Sequence, residues 1–166
     1  MKKAIVTIAS GEKHYNLWRA HSKQNWEKFC ERHNYNLQVF DKPLDNSPIA
    51  STRSIAWQKL ICHLHPALSN ADSITWLDCD IVINPNSPDP RQGQKEEDFL
   101  SCQEFDWGND PQTTHLKEGW LKRQASDYTT AYKGKKFEGF YETWGFGEGS
   151  GPLINSGFFS FTPKHH

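Results

Sequence analysis

Apolar and polar positions in the first half of the chain form short strand-like runs that alternate with helical stripes. β-prone apolar runs predict strands over residues 3–10, 35–40 and 73–77. Between them, apolar residues recur at helical spacing over residues 14–33 and about 53–64. Strands separated by helices at this spacing are typical of a parallel α/β sheet.

Each of the two predicted helices has an apolar face. In the first helix this face contains Tyr15, Trp18, Phe29 and Cys30. The second helix begins after a capping Ser51 or Thr52, and Pro66 follows its end. Its predicted buried stripe consists of Ala56, Trp57, Leu60, Ile61 and Leu64.

The second half of the chain has a less regular pattern. Residues 84–94, rich in Pro, Asn and Gly, predict a loop, and a strand is predicted over 99–105. From 106 to 152 the periodicity fades while aromatic residues and glycines increase, which predicts a long excursion. A last strand is predicted over 153–161, with the tripeptide 155–157 near its start.

Composition narrows the class of protein. The 166 residues fit one domain, and 19 basic against 20 acidic side chains give no net charge that favours nucleic acid or anionic membrane. The apolar run at the N-terminus is too short for a signal peptide or a membrane span. The 4 cysteines form no CxxC pair, so we expect free thiols, a reducing compartment and a cytoplasmic protein.

Two aspartates follow the strand predicted over 73–77. Side chains two residues apart in extended chain point to the same side, so Asp78 and Asp80 can converge on one hard divalent cation. The alternative is a strand end with two solvated acids. The pair is the first candidate for a metal site.

The order of four short motifs resembles the GT-A fold of nucleotide-sugar glycosyltransferases, in particular the glycogenin-like and galactosyltransferase-like retaining groups. These motifs are VTIASGEKHY, WQKL, WLDCDIVINP and INSGFF. The resemblance implies a Rossmann-like α/β fold with a mostly parallel central sheet flanked by helices. It also implies a nucleotide at the carboxyl end of the first strand and a Mn²⁺ or Mg²⁺ ion between the DxD motif and the diphosphate.

The resemblance assigns the donor side of the site. Ile8, Ala9 and Ser10, with Tyr15 on the next helix, match the turn that binds uridine. Lys59 matches a basic residue that reaches the donor's sugar or phosphate.

Arg53 is a second candidate for the role of Lys59. Asp78 would bind the donor ribose or a metal-bound water, and Asp80 would ligate the metal directly. Asn155 would contact the transferred sugar, while Ser156 and Gly157 complete the family's Asn-x-Gly motif. Asp78, Asp80 and Asn155 are thus the expected catalytic set.

The expected activity is a metal-dependent, retaining glycosyltransferase of the hexosyltransferase type. It would move a sugar from a nucleoside diphosphate donor, UDP-linked in the closest groups, to a carbohydrate or other hydroxyl acceptor. The departing diphosphate would need a cation or fixed donors. Residues 1–105 would form the nucleotide-binding half of a single domain, and 106–166 the acceptor side.

An inverting enzyme would also need a carboxylate to deprotonate the acceptor. The sequence does not distinguish between the candidates, which are Glu104, Asp106, Asp127 and Glu142. The glycine-rich and aromatic segment 133–151 is expected either to cover the acceptor side as a lid anchored by Trp144 or to pack as a satellite core.

The chain also departs from the family. The third metal ligand there is a histidine beyond the last strand, where this sequence offers only His165 and His166, so a truncated form is expected. A binding domain without turnover is one alternative function. Another is a phosphohydrolase of the haloacid-dehalogenase type with Asp78 as nucleophile and Asp80 as acid/base, although no downstream acidic motif completes that site.

Overall fold

The computed structural model describes residues 1–103 and 154–165. In this part of the chain five strands form one sheet in the order β2-β1-β3-β5-β4. The strands are β1 Lys3–Ile8, β2 Tyr35–Phe40, β3 Ser73–Leu77, β4 Leu100–Gln103 and β5 Ile154–Phe161. β1 is parallel to both β2 and β3, whereas β5 is antiparallel to β3. The expected mixed α/β class, with a mostly parallel sheet core flanked by helices, is confirmed.

The region between β1 and β2 contains two helices where the pattern predicted one. α1 spans Glu12–His21 and α2 spans Lys23–His33. Ser22 separates them, and its buried hydroxyl donates to the Ile81 carbonyl over 3.0 Å. Because that carbonyl is distant in sequence, local periodicity could not show the break.

Two apolar clusters form the core. Successive side chains of a strand point to opposite faces of the sheet, so neighbouring residues belong to different clusters. One cluster contains Ala4, Val6 and Trp76, and the other contains Ile5 and Leu77. The second cluster also contains the buried face predicted for α1 and α2, including Trp18, Phe29 and Cys30, with Tyr15 packed against it.

The helix before β3 buries a different face from the predicted one. It is a 3₁₀ helix, Ile55–Leu64, and its N-terminal cap is Ser54. The stripe prediction was wrong for Ala56, which is exposed, and for Trp57, Leu60 and Leu64, which are 59%, 58% and 70% exposed, while Ile61 is half-buried. A 3₁₀ helix has three residues per turn, so residues that share a face at 3.6 per turn diverge. Its buried side chains are Gln58, Lys59 and Cys62.

The remaining elements are short. α3 spans Pro48–Ser51, so the predicted caps Ser51 and Thr52 lie at its C-terminal end. Further 3₁₀ turns span Pro66–Leu68 and Pro163–His165. The four cysteines are free, and burial raises the pKa of Cys30 and Cys62 to about 11.

The chain divides into two compact units. One contains Met1–Cys102 and Ser156–His166, and the other contains Gln103–Asn155. Several predictions lie outside the described residues: the lid over 133–151 with Trp144, and the candidate bases Glu104, Asp106, Asp127 and Glu142. In the described ranges, no helix is long and apolar enough to cross a bilayer.

Candidate functional site

The candidate site lies where β1 and β3 end. These strands are parallel neighbours with Val6 opposite Trp76, and continuing that register places Ile8 level with Asp78. The first residues after both strands therefore meet at the carboxyl edge of the sheet. In open parallel α/β sheets this edge is where ligands bind.

Asp78 is bonded from three directions. Its Oδ1 accepts from the Trp76 indole Nε1 over 2.8 Å and from Lys59 Nζ over 3.2 Å. Its backbone N–H donates to the Gly157 carbonyl over 2.8 Å. In the described part of the chain Oδ2 has no partner, and 40% of the side chain is exposed. One carboxylate oxygen is thus fixed while the other remains available.

Lys59 connects the 3₁₀ helix to β5 as well as to Asp78. Its Nζ donates to the Ser156 carbonyl over 2.9 Å and lies 3.1 Å from Ser156 Oγ. The side chain is only 10% exposed. The structure therefore brings together Lys59, Asp78 and Ser156, which the resemblance placed in one site. Contact with a donor molecule stays a prediction.

Asp80 contrasts with Asp78. It is exposed, and among the described residues its carboxylate has no hydrogen bond or ion pair. Between them, Cys79 is partly buried, and its pKa is raised by burial and further by the charges of Asp80 and Asp78. The two aspartates with Lys59 leave a net negative charge, which favours a cation.

Side chains of α2 bind the backbone that follows Asp80. Trp26 Nε1 donates to the Ile81 carbonyl over 2.9 Å, beside the bond from Ser22. Asn25 accepts from the Ile83 N–H and donates to the Ile83 carbonyl, each over 2.8 Å. Sequence reasoning missed these contacts, although a polar Asn on an otherwise apolar helix face could have suggested one.

The residues predicted to bind the nucleobase lie at the end of β1 and on α1. Ala9 is fully buried, and its N–H donates to the Phe40 carbonyl over 2.8 Å. Gly11 adopts φ 83°, a conformation that favours glycine, immediately before α1. Tyr15 is partly buried, with its ring 5.9 Å from that of Trp18. Stacking of Tyr15 on a base stays a prediction.

Arg53 and Asn155, the two other residues predicted for the site, are both exposed. Arg53 is exposed in the turn between α3 and the 3₁₀ helix, and it is not among the side chains bonded to Asp78. Asn155 is exposed in β5 and belongs to the Gln103–Asn155 unit.

Oxygen donors for a metal ion are present at the carboxyl edge of the sheet. In the described ranges, no three side chains of the His, Cys, Asp and Glu types lie together as a ready ligand cluster. Asp80 and the open oxygen of Asp78 nevertheless provide hard oxygen ligands of the kind Mg²⁺ accepts. Mg²⁺ usually takes only one or two protein carboxylates and fills its other positions with water and substrate phosphates. The residues present fit an ion of that kind.

Comparisons with known proteins find similarity only among solved structures. The chain matches no protein-family model and no curated protein. Among solved structures it is similar to a glycosyltransferase involved in the glycosylation of the major capsid of PBCV-1, with TM-score 0.48 and 16% identity. The match covers 96% of this chain and 59% of that chain. The chemistry of the site depends on its own residues.

Proposed function

We propose that the protein transfers a sugar from a nucleoside diphosphate sugar to a hydroxyl acceptor, using a divalent cation at Asp78 and Asp80. One observation carries this proposal. At the carboxyl edge of the sheet, Asp78 is fixed by Lys59 and Trp76, while Asp80 is exposed and its carboxylate has no partner among the described residues.

The proposal divides the chemistry among the residues. A Mn²⁺ or Mg²⁺ ion bound by Asp80, with the open oxygen of Asp78, would neutralise charge on the departing diphosphate. The backbone from Ile8 to Ser10, with Tyr15, would bind a uridine base. Lys59 would place a second positive charge close to the donor, on the side of β5.

The GT-A assignment, the UDP donor and retention of configuration belong to the same proposal. Retention means that an α-linked UDP-sugar yields an α-linked product. Proton NMR of the product's anomeric signal would test this, since a β-linked product would exclude a retaining mechanism.

The central experiment measures binding of UDP-glucose and UDP-galactose by calorimetry, with and without Mn²⁺. We expect Mn²⁺-dependent binding by the wild type and a loss of at least about tenfold in Asp80→Asn. Glu31→Gln is the matched control, because it also removes one exposed negative charge, on α2, and should bind like wild type. Equal affinity of Asp80→Asn and wild type would contradict the metal assignment.

The same preparation separates the alternatives. A transferase releases UDP when donor and acceptor are present, whereas a binding domain retains the intact donor. Hydrolysis of p-nitrophenyl phosphate that disappears in Asp78→Asn, without binding of sugar nucleotides, would favour the phosphohydrolase.

A further inference from the structure

Trp76 combines a packing role with a hydrogen bond to the site. It is 3% exposed in β3, where it lies opposite Phe159 of β5. The two rings are stacked, with centroids 6.1 Å apart and planes 11° from parallel. Phe99 stacks on Phe159 in turn, at 5.9 Å and 14°. These contacts fix the plane of the Trp76 ring.

The polar edge of that ring contacts Asp78. Residues two apart on a strand lie on the same face, so the indole N–H of Trp76 reaches Asp78 Oδ1, 2.8 Å away. A phenylalanine could supply the stacking, but only the indole supplies a donor. Lys59 donates to the same oxygen. Two donors on one carboxylate oxygen restrict the rotation of the carboxylate, and Oδ2 has no partner within residues 1–103 and 154–165.

We infer that Trp76 is a positioning residue that orients the Asp78 carboxylate for the metal-bound donor. This inference rests on the proposed function. It differs from a purely structural role, because the orientation of one oxygen should affect metal-dependent binding more than it affects the fold. Groups that orient metal ligands typically change metal affinity or activity by 10- to 100-fold when removed.

The test compares two tryptophans. Trp76→Phe retains an aromatic ring in the stack but removes the donor. Trp18→Phe is the matched control: Trp18 is 4% exposed and its Nε1 has no hydrogen-bond partner in the part of the chain that the structure describes, so this variant loses an indole without losing a described hydrogen bond. Binding of UDP-galactose is measured for both with Mn²⁺ and without it, and circular dichroism verifies the fold.

We expect Trp76→Phe to weaken Mn²⁺-dependent binding of UDP-galactose by roughly 10-fold or more while its metal-free binding stays unchanged. Trp18→Phe should retain the wild-type ratio between the affinities measured with and without Mn²⁺. When Asp78→Ala is already present, adding Trp76→Phe should not change Mn²⁺-dependent binding further. Wild-type Mn²⁺-dependent affinity in Trp76→Phe, or an equal loss with and without metal, would overturn the inference.

A measurement on the wild type covers the case in which Trp76→Phe does not fold. The indole ¹⁵N–¹H resonance of Trp76 should shift when Mg²⁺ is added to protein that already holds UDP. That of Trp18, which packs against Tyr15 on the nucleobase side, should not change at this step. An unshifted Trp76 resonance in protein that binds Mg²⁺ and UDP would overturn the inference. Failure of the wild type to bind any sugar nucleotide would instead overturn the proposed function.

Discussion

The two edges of the parallel strands use their carboxylates differently. At the amino edge, Asp89 Oδ2 lies 2.5 Å from Lys3 Nζ, and Oδ1 accepts from the Tyr35 hydroxyl over 2.6 Å and from the Arg91 N–H over 2.9 Å. At the carboxyl edge, Asp78 has one bonded oxygen, and Asp80 has no partner in the described residues.

This difference indicates that the carboxylate at the amino edge stabilises the fold, whereas those at the carboxyl edge are available to a ligand. Both oxygens of Asp89 are bonded inside the protein, and the side chains of Lys3 and Asp89 are only 13% and 15% exposed. Arg91, 6% exposed, extends this network by donating to the Asp98 and Lys95 carbonyls. At the carboxyl edge the unbonded carboxylate oxygens add little stability, but they remain available to a ligand.

The largest expected effect tests this contrast directly. Asp89→Asn should lower the free energy of unfolding by about 2–3 kcal/mol, because it leaves the poorly exposed Lys3 ammonium without its counter-charge. Asp80→Asn should change it by no more than about 0.5 kcal/mol, as is usual for a solvated surface group. Chemical denaturation of both variants measures the difference, and similar losses would contradict the distinction between the edges.

The second prediction concerns acid. Burial alone raises the pKa of Asp89, but hydrogen bonds from Lys3, Tyr35 and the Arg91 N–H, together with the Lys3 charge, bring it below its usual value. Because its pKa is lowered in the folded protein, Asp89 stabilises the fold at pH values above the ordinary carboxyl pKa of about 4. This stabilisation is lost as the pH falls through the pKa of Asp89 in the folded protein.

The wild type should therefore lose stability steeply below about pH 4, and Asp89→Asn should lose less over the same interval. Denaturation midpoints between pH 7 and 3 test this. Parallel curves for the two proteins would show that Asp89 does not contribute to acid unfolding.

At alkaline pH, stability is expected to fall as the pH rises, because of Tyr35. Burial, and then the bond to Asp89, raises the pKa of Tyr35, so its contribution is present below the ordinary tyrosine pKa of about 10 and lost above it.

A smaller effect is expected where α2 binds the chain after Asp80. Asn25→Ala removes two hydrogen bonds to the Ile83 backbone and should cost about 1–2 kcal/mol. It should also accelerate hydrogen exchange at the Ile83 amide. Gln24→Ala, at an exposed neighbouring position, is the control and should leave that exchange unchanged. Unaltered exchange in Asn25→Ala would mean that Asn25 does not fix this segment.

Among the variants that remove a described contact, Lys59→Met should have the smallest effect on stability. Without the Lys59 ammonium, the carboxylate of Asp78, which is 40% exposed, can be solvated by water. Because methionine suits a buried position, the free energy of unfolding should change by no more than about 1 kcal/mol. Binding of UDP-galactose should nevertheless weaken more than binding of uridine. Equal losses for both ligands would remove Lys59 from the proposed donor site, and Lys28→Met on α2 controls for lost charge.

Local sequence patterns predicted the parts of the fold that depend on neighbouring residues. The apolar run before Asp78 predicted β3, and the motif containing Ser156 predicted the start of β5. The resemblance assigned Lys59, Asp78 and Ser156 to one donor site, and the structure shows that Lys59 is bonded to the other two. Whether these residues bind a donor stays a prediction.

Contacts between distant segments were not predictable in the same way. The break at Ser22 depends on the Ile81 carbonyl, and the bond from Trp76 to Asp78 depends on a ring plane fixed by Phe159. The exposed position of Trp57 depends on a turn of three residues instead of 3.6.

The pairing of β3 with β5 has a consequence for synthesis of the protein on the ribosome. β1, β2 and β3 are complete once Leu77 has been made, but the other edge of β3 pairs with a strand that ends at Phe161. At about 5–20 residues per second, the roughly 80 intervening residues take about 4–16 s to translate.

Throughout that interval the nascent chain has an unpaired strand edge beside Trp76, which is a site for aggregation or chaperone binding. The Gly157 carbonyl that binds the Asp78 N–H also emerges only then. The candidate site therefore forms only after β5 has been translated.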